Sequence, residues 1–473
     1  MKHLRLYLFI LIPLGVFVII RVCFGFNGLY GQDSHEYLRF AEWIRTALHG
    51  SAEPTSFFWP VIYPMLGGLV SYITGNTALV LQLISLCAFI ISLFFFRGIL
   101  LMWHPTRITE IEVFILVTIL PASWFLRGAI FVMSDITAVM FTFGAVYYLY
   151  RITFTAKALH LMMGALFTVL AFFTRYPAAL IIAPWAVYAT VALFRKFRFL
   201  SLAGALLVLV GCSFLLLQVK SENITGLITH PLITYWSINN FLASSFSSAD
   251  GSVQYYLANV LYAFSAILHP AFLLPGWVLV FFIRRRDTDQ WHAKLALMSV
   301  VMYSLLLMGL AFQNPRFLML SFPMIAFLCL PAFIRVYTKL SAWRFMLPAF
   351  IILIIMADAV VFTYSFRSFY RLNKLEQTIA SDLVTNHSGN TAIYTFSIDP
   401  ALRSYHVANP IRNMWVKEYD DFEKGALVLY NCDAFKRQWK DRNPVKNWEK
   451  LQKEHQLLVL SEYSDGWKLY EIR

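Results

Sequence analysis

Apolar runs long enough to cross a membrane recur along almost the whole of this chain, and no other feature limits its fold so severely. They lie at roughly 6–26, 78–102, 111–126, 134–150, 158–174, 177–194, 199–218, 255–283, 295–312, 317–334 and 345–365. A bilayer's hydrocarbon core is about 30 Å thick and takes about 20 residues of helix. Within it each segment must satisfy its own backbone N–H and C=O groups, which selects helices. Only 14% of the residues are charged, where soluble domains carry about 25%. Most of the chain therefore has lipid for a solvent. About eleven crossings are expected, an odd number that puts the two termini on opposite sides.

Basic residues between the spans set the orientation. Arg97 and Arg107, Arg151 and Lys157, Arg195, Lys196 and Arg198, Arg284 to Arg286 and Lys294, then Arg335, Lys339 and Arg344 fall in alternate loops. The intervening loops hold only scattered ones such as Arg127, Arg175, Lys220 and Arg316. The positive-inside rule makes the first set, and the N-terminus, cytoplasmic. Asp33, Asp135, Arg175, Arg316 and the tail from residue 366 are then external. With no small-residue cleavage site after it, the first span is expected to be an anchor and not a removed signal peptide. The net charge of +13 follows from those loops, while the tail is nearly balanced. That is an orientation signal and not a phosphate-binding stripe, so no nucleic-acid partner is expected.

The expected organisation is a helical polytopic membrane domain over 1–365 and a small external α/β domain over 366–473. Within the tail, Ala392-Ile-Tyr-Thr-Phe, Ala426-Leu-Val-Leu-Tyr, Leu457-Leu-Val-Leu and Trp467-Lys-Leu-Tyr-Glu-Ile read as strands. The segments 447–455 and that following Pro400 read as helices. Roughly 100 residues suffice for a small core of this kind. Cys23, Cys87, Cys212, Cys329 and Cys432 form no CxxC and no metal spacing.

Charge first becomes dense in Gly31-Gln-Asp-Ser-His-Glu-Tyr-Leu-Arg-Phe-Ala-Glu-Trp-Ile44. From Ser34 this reads as an amphipathic helix with Tyr37, Phe40, Ala41, Ile44 and Leu48 on one face. Such a helix lies along a membrane interface. Asp33 stands at its start, where Glu36 three residues on also makes a capping box. After Phe57-Phe-Trp-Pro-Val-Ile-Tyr-Pro64 comes an apolar piece ending at Gly75-Asn76. It is too short to cross alone and is expected on the outer side.

Three more charged positions lie at that surface. Asp135 opens a span in Val132-Met-Ser-Asp-Ile-Thr137, where capping is also a sufficient reason for it. Arg175, in Phe173-Thr-Arg-Tyr-Pro177, and Arg316, in Gln313-Asn-Pro-Arg-Phe317, could each be interface arginines. Together, two external acids and two external arginines suit an anionic phosphate ligand and a base. His269-Pro270 interrupts a span, and Asp358 inside the last one must face protein or water. Asp287-Thr-Asp289 mimics a metal-binding DxD, but it sits in a short basic loop with no soluble domain to hold a nucleotide. No GxxxxGK[ST] is present, so ATP is not the expected energy source.

The chain resembles the GT-C superfamily of integral-membrane glycosyltransferases. It is most similar to the group of dolichyl-phosphate-mannose–protein mannosyltransferases and the bacterial aminoarabinose transferase of lipid A. The resemblance lies in Asp33 with Tyr37 in the first external loop, Trp59-Pro60 and Tyr63-Pro64 before a short helix, and Ser134-Asp135 opening a span. Thr174-Arg175-Tyr176-Pro177 and Asn314-Pro315-Arg316-Phe317 followed by Pro323 complete it. It covers residues 1–365. Two departures stand out: many relatives have Asp-Glu where Asp33-Ser34 stands here, and aminoarabinose-type enzymes have Lys-Pro-Pro where Trp59-Pro60-Val61 stands.

The resemblance implies that Asp33 is the catalytic base, Asp135 a second acidic site residue, and Arg175 and Arg316 ligands of a donor phosphate. Glu36, Tyr37, Tyr63 and His269 are the expected further pocket residues. It also implies an inverting transfer of sugar from a polyprenyl-phosphate carrier to a lipid, glycan or protein acceptor outside the plasma membrane. No metal ligands are expected, no cofactor is required, and a divalent-cation requirement is not readable. Two other classes compete. A lipid-carrier flippase or secondary transporter would put polar residues at mid-membrane in paired halves, whereas here they gather at one surface. A non-enzymatic envelope-assembly protein would make the external acids replaceable.

Overall fold

The computed structural model describes residues 2–50, 57–155, 157–196, 199–220, 230–248, 251–272, 276–343 and 345–473. Arg198 and Arg344, two of the basic loop positions above, lie outside the described residues. The helices used below are α1 (Lys2–Val18), α2 (Gly31–Ala47), α3 (Ile62–Thr74), α4 (Thr77–Trp103), α5 (Ile108–Thr118), α6 (Ser123–Ile130), α7 (Asp135–Thr155), α8 (Ala158–Phe172), α9 (Ala178–Phe194) and α10 (Phe199–Lys220). After them come α11 (Trp291–Gly309), α12 (Leu318–Ser341), α13 (Met346–Asn386), α14 (Asp399–Ser404), α15 (Cys432–Gln438) and α16 (Asn443–Glu454).

Among the described residues six helices are long and apolar enough to cross a membrane, or seven if the bent α5–α6 pair is one span. Eleven was the expected count; breaks and short helices account for four of the runs outside this set, and the fifth, at 134–150, is one unbroken helix of 21 residues, α7. The run at 111–126 bends by 75° between α5 and α6, where Pro121 keeps the preceding residue out of helical geometry. The run at 255–283 is not one helix: the described parts are short helices at Asn259–Phe264 and Gly276–Phe281 with a 3-10 turn at Ser265–Ile267. His269-Pro270 falls between them, and a proline there removes a donor and clashes with the preceding turn. Helices α8 and α9 have 15 and 17 residues, about 22 and 26 Å at 1.5 Å per residue, short of the core thickness.

Helix α12 is the centre of the bundle. Leu318, Leu320, Phe322, Met324, Ala326, Phe327 and Leu330 are all buried, so as far as Phe333 it is apolar on every side and covered on every side. Helix α13 is its opposite. Only 11% of its most apolar window is buried in protein, and Ile352, Leu353, Met356, Val360 and Tyr364 lie on the outside. At 41 residues it is about 60 Å long, about twice the membrane core. It therefore continues through residue 366 and carries the chain into a second core that begins at Leu375.

The amphipathic reading of α2 matches the burial of Tyr37, Phe40, Ala41 and Ile44, whereas Leu48 is exposed. Helix α3 lies against α2 at backbone distance: a Cβ on Gly68 would stand 2.7 Å from the Ala41 carbonyl oxygen. Only glycine permits that approach.

The second core surrounds a five-stranded sheet of β3 (Ile393–Thr395), β4 (Ile411–Asn413), β5 (Leu427–Tyr430), β6 (Leu457–Glu462) and β7 (Lys468–Ile472), in the order β4-β3-β5-β7-β6. β3 pairs in parallel with β4 and β5, while β7 pairs antiparallel with β5 and β6. A separate hairpin joins β1 (Ser245–Ser248) and β2 (Gly251–Gln254). The four strands read from the sequence are present, as are helices at the two expected places. β4 and α15 are additions that three residues of strand and seven of helix were too short to announce. Helix α16 packs Val445, Trp448 and Leu451 into the core, and the Trp448 ring stacks on Tyr430 at 4.4 Å.

The two sets of charged positions separated by the loop alternation stay apart in space. Arg5 and Arg97 meet at Glu112, at 3.0 and 2.8 Å. Arg335 meets Asp287 at 2.8 Å, which gives the DxD-like acid a structural partner. At the other end of the bundle Asp33, Asp135, Arg175 and Arg316 come together.

Candidate functional site

Each of those four residues arrives on a different element. Asp33 lies in the first turn of α2, Asp135 opens α7, Arg175 sits in the turn between α8 and α9, and Arg316 lies in the 3-10 turn Pro315–Phe317 that leads into α12. Asn314 builds that turn, its side-chain oxygen accepting from the Arg316 N–H at 3.1 Å. Tyr262 fixes the turn from outside by donating to the Asn314 carbonyl at 2.6 Å.

The capping expectation for Asp33 is corrected. Helix α2 starts at Gly31, three residues earlier than the pattern suggested, and its N-cap position is Tyr30, whose side chain makes no cap bond. Gly31 has φ +58°, a conformation that favours glycine and turns the chain into the helix early. Asp33 is thus free of capping, and its Oδ2 accepts from Arg316 Nη2 at 2.6 Å. Glu36 does not complete a box either; it pairs with Arg39 at 2.8 Å.

Asp135 is 3% exposed and its Oδ1 lies 2.6 Å from Arg175 Nη2. Its Oδ2 is 4.0 Å from Arg316 Nε. The four charges therefore form one chain, Asp33–Arg316–Asp135–Arg175, balanced at two of each sign. Both arginines point inward at these acids, which replaces the interface-anchor alternative. The Arg175 guanidinium also lies over the Phe317 ring, 5.1 Å from its centroid.

Three of these charges, Asp33, Arg175 and Arg316, lie at the floor of a cavity of about 340 Å³, whereas the expected site residue Asp135 does not line it. Asp33, Tyr37, Arg175 and Arg316 line it with Gln32 and Asn314. Phe58, Trp59, Pro60, Tyr176, Pro177, His230, Phe312 and Phe317 supply its apolar walls. Tyr37 is held by a 2.8 Å hydrogen bond to Ser134 Oγ and by the edge of Tyr63 at 5.3 Å. Burial pushes the Tyr37 phenol well above its ordinary range, so it stays neutral and can donate.

Not every expected pocket residue reaches the cavity. Tyr63 is fully buried behind Tyr37, bonded to the Leu81 carbonyl at 3.0 Å and to Ser85 Oγ at 2.9 Å. His269 lies elsewhere, its Nδ1 accepting from the Ala271 N–H at 3.2 Å, and Glu36 does not line the space. His230 and Phe312 do line it, although nothing local singled them out. Phe58, Trp59, Tyr176 and Asn314 belonged to the motifs quoted above; their aromatic and Pro-flanked character was the available signal.

One feature of the floor points to an anion. The Nε–H groups of Arg175 and Arg316 are buried and have no hydrogen-bond acceptor among the described residues. A buried donor left without a partner costs about 1–3 kcal/mol. A phosphate oxygen at the floor would offset that cost, and its negative charge suits two guanidinium groups.

No protein-family model and no curated protein matches this chain. Two solved structures of ArnT from Cupriavidus metallidurans share its fold over almost their whole length. The apo form aligns with a TM-score of 0.65 at 12% identity, covering 98% of this chain and 97% of that one. The form bound to undecaprenyl phosphate aligns at 0.62 and 13% identity with the same coverage. The likeness is one of fold: this chain has the polytopic architecture, with a small C-terminal sheet, that these ArnT structures have.

Proposed function

We propose that this protein is an inverting glycosyltransferase that takes a sugar from a polyprenyl-phosphate carrier and places it on an acceptor at the outer face of the plasma membrane. The observation that carries the proposal is the four-residue charge chain that reaches the cavity through Asp33, Arg175 and Arg316, two acids alternating with two arginines that each keep an unpartnered buried N–H. The shared fold with an ArnT structure bound to undecaprenyl phosphate supports the choice of carrier.

The chemistry follows from the groups present. Nucleotide sugars are confined to the cytoplasm, so an external site must draw on a lipid carrier. The carrier phosphate is a stable anion and a good leaving group once arginine neutralises it. It needs no general acid, unlike the leaving group of a glycosidase. Arg175 and Arg316 would hold the phosphate, and Asp33, the more open of the two acids, would take the proton of the acceptor hydroxyl as it attacks C1 of the sugar. The C1–O bond to phosphate breaks as the new bond forms on the opposite face, so the anomeric centre inverts. Asp135 keeps the two arginines in place.

Purified protein in lipid nanodiscs should bind undecaprenyl phosphate, and a deletion strain should accumulate an unmodified acceptor and its loaded carrier. A strain that accumulates neither, with protein that ignores the carrier, overturns the proposal. Sidedness has its own check. A reporter active only in the cytoplasm, fused after Arg473, should be silent. Activity of that reporter would put Asp33 on the side of nucleotide sugars and remove the reason for a lipid donor.

A further inference from the structure

Helix α6 buries a cation that no acid of the described chain neutralises. Arg127 is 3% exposed, and no other arginine or lysine among the described residues is buried to that degree. Arg175 and Arg316 face Asp135 and Asp33 at 2.6 Å, and Arg5 and Arg97 share Glu112. Arg127 forms no ion pair among the described residues. Its Nη1 donates to the Ser365 carbonyl of α13 at a long 3.4 Å, and its buried Nε–H has no acceptor. What holds the guanidinium is aromatic: the Trp124 ring at 3.7 Å and the Phe369 ring at 4.8 Å. Rings attract the charge, but the five N–H groups of an arginine point outward in its plane and need oxygens. The buried Trp124 Nε1–H beside it also lacks an acceptor. Unmet buried donors of this kind call for an explanation.

The neighbours supply no anion. Tyr30, edge-on to Phe369 at 4.8 Å, has its phenol pushed up to about 12 by burial and stays neutral. Asp358 precedes Ser365 by seven residues on α13, about 10 Å along the helix, and its own Oδ1 has no partner. His269 reaches the group through Phe272, which it meets edge-on at 5.9 Å and which stacks on Trp124 at 6.0 Å. Its Nδ1 accepts from the Ala271 N–H, so its Nε2 is one more donor.

Depth in the membrane names the source of the missing charge. The apolar run 345–365 of α13 gives way at this level to Arg367, Arg371 and Lys374. Ser365 and Phe369 therefore stand where the helix leaves the hydrocarbon, at the level of lipid headgroups, a depth that tryptophan favours. The flank is open to lipid: Leu268 is 69% exposed and Pro270 is exposed, while Trp124, His269, Ser365 and Phe369 are half-buried.

We propose that Arg127, with Trp124 and His269, binds the phosphate of a phospholipid headgroup from the adjoining leaflet, at the seam between α6 and α13. The phosphate oxygens would accept from the Arg127 Nε–H and the Trp124 Nε1–H and bring the negative charge that the cation lacks. The site is separate from the cavity, which neither Arg127 nor Trp124 lines. It braces the seam on which the start of α2 rests, because Tyr30 packs between Phe131 and Phe369 at 4.7 and 4.8 Å. The inference stands apart from the transferase reading, since it needs the membrane and not the reaction.

The test melts the full chain, stripped of lipid in a non-ionic detergent, during titration with phosphatidylglycerol or with diacylglycerol, which lacks the phosphate. Phosphatidylglycerol should raise the melting temperature in a saturable way, and diacylglycerol should not. Arg127→Met should weaken phosphatidylglycerol at least ten-fold, the usual cost of losing a charged hydrogen bond. Trp124→Phe, a milder change that keeps a ring over the arginine, should weaken it several-fold. Inorganic phosphate at millimolar concentration should not reproduce the effect. Natural phosphatidylglycerol affinity in Arg127→Met overturns the site, and where that variant does not fold, natural affinity in Trp124→Phe does so. Equal stabilisation by diacylglycerol would mean that the tails alone bind, and equal stabilisation by inorganic phosphate that the anion is not a lipid's; either result overturns the proposal.

Discussion

Replacing Asp33 by Asn should lower the rate of sugar transfer by about 10²–10⁴-fold, the usual cost of removing a general base, while leaving the carrier as firmly bound as before or more so. The split follows from the charge chain. Asn is nearly isosteric, and its oxygen still accepts from Arg316 Nη2, now 2.6 Å from Asp33 Oδ2. Arg316 keeps Asp135 at 4.0 Å, so it is not stranded. The balance of two acids and two arginines becomes one and two, which favours a phosphate anion. What is lost is the capacity to accept a proton. Stability gives no competing explanation: an acid in a helix's first turn contributes about 0.3–1 kcal/mol, and Tyr30 holds the cap position. Asp33→Glu should also be slow, because the carboxylate shifts by about a bond length from its place. The measurement is turnover of labelled donor by purified protein, with carrier affinity read separately. A rate within a few-fold of the natural protein would move the search for a base to Asp135.

The arginine variants should show the reverse pattern. Arg316→Ala leaves two acids facing Arg175 alone, so the floor becomes negative and repels the carrier phosphate. Loss of a charged hydrogen bond is worth about 1.5–3 kcal/mol, or roughly ten-fold to more than a hundred-fold in donor affinity. Arg175→Ala should cost at least as much, because it strips the 2.6 Å partner from Asp135, and a buried acid without its partner is strongly destabilising. Lysine at either place should restore only part of the loss, since it cannot present a planar fork to acid and phosphate together. Titration of undecaprenyl phosphate into each variant reads this directly. Natural affinity in both alanine variants would mean that the arginines serve only the packing of this end of the bundle.

The four charged residues of the site could be named from the sequence because each broke an apolar pattern at a span boundary, where a charge needs a reason. Their grouping was legible too: alternation of basic loops put Asp33, Asp135, Arg175 and Arg316 together, and they pair with one another in space. Periodicity gave the buried face of α2, and alternation gave four of the five strands of the C-terminal sheet. These are local signals, each carried by residues within a turn or two of one another.

What the sequence could not hold was pairing. Arg316 joins Asp33 across 283 positions and Glu376 joins His35 across 341, and no local pattern marks either partner. His35 reads as one more polar residue on an interfacial helix, and only the docking of α13 and α14 makes it one of the least exposed groups in the chain. Hydropathy likewise measures how greasy a run is but not whether it stays straight, so the breaks at Pro121 and His269-Pro270 turned two expected spans into bent or divided ones. Solvent preference is a property of each residue and survives in the sequence. Charge compensation is a property of two residues and a distance, and in this protein it exists only once the chain has folded.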